Sequence, residues 1–99
     1  MRISIFLFVA LACCASGAHA QDAATRNMAS ACAICHGTDG RSDGKALPPI
    51  AGMPRDHIAA QMRAFRDGQR PATVMHQIAK GYTDAQIDSL AAWFSSQKR

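Results

Sequence analysis

Cys32-Ala33-Ile34-Cys35-His36 is the stretch on which this 99-residue chain turns. Two thiols separated by two residues can reach the same edge of one planar macrocycle. An imidazole on the next residue is then carried beneath the centre of the ring. C-x-x-C-H is accordingly the attachment sequence of a c-type haem, in which each thiol adds across one vinyl group and the histidine becomes the proximal iron ligand.

Other chemistry uses the same residues. A redox-active dithiol calls for a thioredoxin-like βαβ pattern, and the sequence lacks one. Zinc needs two further ligands at suitable spacing, and His57 and His76 form no recognisable second pair. A structural disulfide closing so short a loop would contribute little.

Upstream of the motif, Met1-Arg2 is a short basic start and residues 3–15 are an apolar core. Ala18-His19-Ala20 then supplies an A-x-A cleavage site, so residues 1–20 read as a secretory signal and residues 21–99 as the mature domain. The apolar core is shorter than the roughly 20 residues of a spanning helix, which argues against a membrane anchor. Cys13 or Cys14 could instead become an acylated N-terminus, but Ala10-Leu11-Ala12 is a poor lipobox. Cleavage removes both cysteines and leaves Cys32 and Cys35 as the only thiols, in an exported and therefore periplasmic protein. A domain of this size in that compartment would otherwise use disulfides, and a covalent haem takes over that role.

Charge argues against a nucleic-acid partner. Without Arg2 the mature chain carries ten Lys and Arg against seven Asp and no Glu, a formal +3. Two haem propionates would reduce this to about +1. No basic run is interleaved with aromatics, so the high isoelectric point is not a nucleic-acid signature.

The mature chain reads as one all-α domain. Residues 23–35 form a first helix, with Ala24, Met28 and Cys32 at four-residue spacing. Residues 37–54, rich in Gly, Pro, Asp and Ser, form a long loop that needs a surface to wrap, and a haem provides one. A second helix over residues 54–67 places Ile58, Met62 and Phe65 on one face and Arg55, Arg63 and Arg66 toward solvent. Gly68 stops it. A short helical turn over residues 74–79 precedes the last helix. There Thr83-Asp84-Ala85-Gln86 is a capping box, and Ile87, Leu90, Ala91 and Phe94 make the apolar stripe. With 79 mature residues, burial alone is marginal, and a macrocycle would supply the missing apolar contacts.

The sixth iron position decides between electron transfer and ligand chemistry. Downstream of the motif, Met53, Met62, Met75, His57 and His76 are the candidates. Met62 belongs to an apolar stripe, where a methionine is more often core than ligand. Met75 lies in a loop-like stretch 39 residues beyond His36, far enough for the chain to pass round the haem and return. His76 is the rival, and it points elsewhere if Met75 coordinates. Otherwise His76 and His57 read as surface histidines.

These motifs, in this order, resemble a class I cytochrome c over nearly all of residues 23–97. Cys32, Cys35 and His36 match the haem attachment. Pro48-Pro49-Ile50-Ala51-Gly52 is similar to the family's P-x-L-x-G segment, and Met75 matches its distal methionine. The resemblance implies the cytochrome c fold, a small helical domain around one haem with its N- and C-terminal helices crossing beside it. It also implies that the Pro48 carbonyl engages His36, that Ile50 packs on the haem and that Arg70 approaches the propionates. Ala24 and Met28 would meet Leu90 and Trp93 at the crossing. A turn arginine held only by solvent is the alternative for Arg70.

The run Met75-His76-Gln77-Ile78-Ala79-Lys80-Gly81-Tyr82-Thr83-Asp84 is similar to halves of di-haem bacterial cytochromes and to the cytochrome subunit of flavocytochrome c sulfide dehydrogenases. A single C-x-x-C-H departs from both di-haem patterns. Two functions follow: a periplasmic one-electron carrier with His/Met ligation and transient redox protein partners, or the haem subunit of a flavoprotein dehydrogenase. A sensor or peroxidase-like enzyme needs an open sixth site, against which Met75 argues.

Overall fold

A computed structural model describes the backbone of residues 16–99 and the side chains of residues 22–99. Cys13, Cys14 and most of the expected leader lie outside the described residues. Among the described residues there are four helices, α1 (Ser16–His36), α2 (Arg55–Arg66), α3 (Met75–Ala79) and α4 (Asp84–Ser96), with a 3₁₀ turn at Thr38–Gly40. Among the described residues there is no strand. No helix among them is long and apolar enough to cross a membrane.

α4 follows directly from its sequence. The Thr83 hydroxyl accepts from the Gln86 N–H at 3.2 Å, and the Gln86 side chain accepts from the Thr83 N–H at 2.9 Å, completing the capping box. Ile87, Leu90, Ala91 and Phe94 are all buried, and they form the centre of the core with Ala29, Ile58 and Ala59. Tyr82, just ahead of the cap, packs against this cluster in the manner of a hydrophobic staple. α1 and α2 both pack on α4, and α3 packs on α2.

α1 departs from expectation in two ways. It is already helical at Ser16, the first residue whose backbone is described, rather than only from residue 23, and Ala18, Ala20, Ala23 and Ala24 are all strong helix formers. Its buried face is also rotated. Ala24 is exposed, while Ala29 is buried at 3 % exposure and Thr25 and Met28 are half-buried. Each step of four residues overshoots a turn by about 40°, so two steps back from Cys32 carry Ala24 off the contact face. Ala29 is therefore the small residue at the α1–α4 crossing, where it lies beside Trp93.

Arg63 and Arg66 are not turned to solvent. Arg63 donates to Asp88 at 2.8 Å and to Asp84 at 3.2 Å, and Arg66 pairs with Asp84 at 2.8 Å, so both join α2 to the start of α4. Arg55 is exposed, as expected.

The long loop is anchored at Gly40. Its carbonyl accepts from the N–H groups of Ile50 and Ala51 at 2.9 and 3.1 Å. Gly40 sits at φ +80°, and a Cβ there would come within 2.8 Å of Ile50 and 2.9 Å of Phe94. Only glycine meets both demands. Two residues beyond Ile50, the Gly52 N–H donates to the Phe94 carbonyl at 2.9 Å, tying the loop to the last turn of α4.

Candidate functional site

The helices and the loop enclose one large cavity of about 440 Å³. This lies within the range of roughly 300–1,000 Å³ typical of ligand and cofactor sites. α1 supplies Cys32, Cys35 and His36 from its last turn, and the loop supplies Pro48 and Ile50. Arg70 and Met75 arrive from the segment after α2 and from the start of α3. All seven residues singled out in the sequence therefore meet in one cavity wall.

His36 is oriented by the loop. Its Nδ1 lies 2.7 Å from the Pro48 carbonyl oxygen, which accepts the ring N–H. The other ring nitrogen is thereby left as the basic one, free to coordinate. The loop holds its own shape through the Ser42 hydroxyl, which donates to the Leu47 carbonyl at 2.6 Å.

The two thiols differ in setting. Cys35 is exposed and Cys32 half-buried. Burial, helped by the neighbouring Cys35, pushes the Cys32 thiol above its ordinary range against the opposing effect of a backbone hydrogen bond. Tyr82 shares this part of the cavity, and its phenol is raised first by burial and then by Cys32.

Met53, Met62, Met75 and His57 all line the cavity, whereas His76 does not. Met53 and Met62 are packed against the core cluster, which accounts for them as apolar filling. Met75 is half-buried at the start of α3, between the exposed Val74 and the next turn's Ile78. His57 is exposed at the cavity edge. His76 is not the surface residue expected: it is half-buried, and its Nδ1 is enclosed without a hydrogen-bond partner. It points away from the cavity because its neighbour Met75 faces in.

Sequence reasoning missed Gln61 and Tyr82 as lining residues. Gln61 follows His57 by one helical turn on the face that also carries Ile58, Met62 and Phe65, and that spacing was its available signal. Gln61 accepts from Arg70, whose guanidinium lies over the Phe65 ring at 4.6 Å from its centroid.

The wall fits a c-type haem. Two thiols and an oriented imidazole converge on one edge of a cavity lined mostly by Ile, Leu, Phe, Met and Val side chains, with His57, Gln61, Arg70 and Tyr82 as its other polar groups. Among the described residues no group of three or more His, Cys, Asp or Glu side chains is gathered as a metal-binding cluster.

A family model described as cytochrome c oxidase, cbb3-type, subunit III matches residues 19–94. The chain is 35 % identical over 79 residues to cytochrome c-554(548) of Halomonas halodenitrificans, covering 77 % of this chain and 95 % of that protein. It is 42 % identical over 65 residues to the cytochrome subunit of sulfide dehydrogenase of Chlorobaculum tepidum, covering 66 % of this chain and 58 % of that one. The cytochrome c4 structure of Acidithiobacillus ferrooxidans superposes with a TM-score of 0.63 at 44 % identity, over 67 % of this chain and 38 % of that chain. The chain thus spans nearly all of the first relative and much less of the other two. The matched sequence, the helical fold and the cavity wall agree: the chain belongs to the class I c-type cytochromes, electron-transfer proteins built as small helical domains.

Proposed function

We propose that this protein carries single electrons in the periplasm through one haem bonded to Cys32 and Cys35, with His36 and Met75 as axial ligands and residues 1–20 removed on export. The observation that carries this reading is the 2.7 Å contact between His36 Nδ1 and the Pro48 carbonyl, in a cavity that Met75 also lines. That bond sets the imidazole tautomer and raises its basicity, so the residue is prepared to bind iron through its free nitrogen. When bound, the haem supplies a reversible one-electron couple whose potential is raised by His/Met ligation.

The chain's own residues do the rest. Ile50, Phe94 and Leu90 keep the cavity apolar and exclude water, which limits rearrangement when the charge changes. Arg70 presents a cation to the propionates at the rim. Leu47, Val74 and Ile78 are exposed around the mouth, where a redox partner docks. Small transient interfaces serve this purpose.

The Chlorobaculum relative supports a second reading, the haem subunit of a flavoprotein dehydrogenase of the sulfide-oxidising kind. Residues 37–53 contribute one large exposed apolar side chain, Leu47, which is little for a permanent interface. The carrier reading is therefore preferred.

The test is mass spectrometry of protein exported from cells with haem-maturation machinery. The carrier reading expects a polypeptide beginning at Gln21 plus one haem, and no adduct in the Cys32→Ser/Cys35→Ser variant. A chain that leaves the cell interior without a haem adduct contradicts it. Purification as a single chain separates the carrier from the subunit, which would copurify with a flavoprotein.

A further inference from the structure

The cavity has one polar edge. Apart from the thiols and His36, its polar lining side chains are His57, Gln61, Arg70 and Tyr82, and three of these fall together. His57 and Gln61 are one turn apart on α2, and Arg70 is hydrogen-bonded to Gln61. The chain returns to this face by reversing after α2: Gly68 adopts φ +73°, and the Gln69 and Arg70 N–H groups both donate to the Ala64 carbonyl, at 2.9 and 3.1 Å.

Arg70 differs from Arg63 and Arg66, the two arginines nearest before it. Arg63 and Arg66 are each neutralised by aspartates. Among the described residues Arg70 has only neutral partners: the Gln61 amide oxygen takes one N–H, and the guanidinium carbon lies over the Phe65 ring. A guanidinium has five donors in a rigid fork, so most remain available. Gln61 and Phe65 thus immobilise a cation without cancelling its charge.

We propose that Gln61 and Phe65 are positioning residues that hold Arg70 as the receptor for the ionised carboxylates of the haem. The inference rests on the cytochrome reading above. A fixed cation at this edge disfavours the more positive, oxidised haem and so raises the reduction potential. A freely rotating arginine averages its charge into solvent and has less effect.

The experiment is a redox titration of holoprotein carrying Arg70→Ala, Gln61→Met and Phe65→Leu, singly and combined. The last two substitutions leave an apolar side chain at each position while removing the acceptor and the ring. Arg70→Ala is expected to lower the midpoint potential, and Gln61→Met and Phe65→Leu to lower it by less. Neither should lower it further in the Arg70→Ala background, and thermal melts should stay near that of the wild type. Gln61→Met at the wild-type potential, or an equal drop with and without Arg70, overturns the positioning role. Failure of the cytochrome reading shows separately, as a wild-type protein with no covalent haem, and it overturns this proposal with it.

Discussion

Arg63 and Asp88 are joined at 2.8 Å across the α2–α4 interface, and Asp84, one turn earlier on α4, is held by the same guanidinium and by Arg66. Arg66 first, and then Arg63, keeps the Asp84 carboxyl below the ordinary carboxylate range. The unfolded chain therefore takes up this proton at a higher pH than the folded one. The stabilisation is complete above the ordinary carboxylate range and is lost as pH falls through the depressed folded value. Asp84→Asn is expected to melt below wild type at neutral pH, with the gap closing in acid and narrowing in high salt. Thermal melts across pH check this.

Gly40→Ala should be among the most damaging small substitutions. It forces a side chain into left-handed backbone and against Ile50 and Phe94. The left-handed conformation and the overpacking together cost about 2–5 kcal/mol. Denaturant unfolding of the holoprotein measures this, and a loss under 1 kcal/mol would mean that the loop does not press on α4 as described.

The α1–α4 crossing separates two alanines. Ala29→Leu is expected to destabilise by about 1–3 kcal/mol through overpacking, whereas the exposed Ala24→Leu should stay within about 0.5 kcal/mol. The reverse order would place the crossing one turn earlier.

Removing the cofactor is a matter of apolar surface. Without a haem, the apolar lining of a cavity of about 440 Å³ faces water in a domain held folded by only ~5–15 kcal/mol. The Cys32→Ser/Cys35→Ser variant, made without haem, should lack a cooperative thermal transition by circular dichroism.

How much of this was visible in the sequence depended on the range of each interaction. C-x-x-C-H and the capping box act within five residues, and the stripe from Ile87 to Phe94 lies within one helix, so each could be read directly. The face of α1 could not, because its alanines fit a buried or an exposed position equally and only packing against α4 chooses Ala29 over Ala24. The pairing of Arg63 with Asp84 and Asp88 spans 21 and 25 residues and exists only once α2 meets α4. Gln61 likewise gains its partner only when the chain turns back after Gly68 to bring Arg70 over the same face. Family resemblance supplied the meeting of Pro48 with His36, which no local rule would have found.

His/Met ligation is the central claim, and the near-infrared spectrum of the oxidised holoprotein tests it most directly. A weak sulfur-to-iron band toward the red end is predicted for wild type, absent in Met75→Ala and retained in Met53→Leu and Met62→Leu. A wild-type spectrum without that band, or a band that survives Met75→Ala, would contradict the assignment and return the sixth position to another residue.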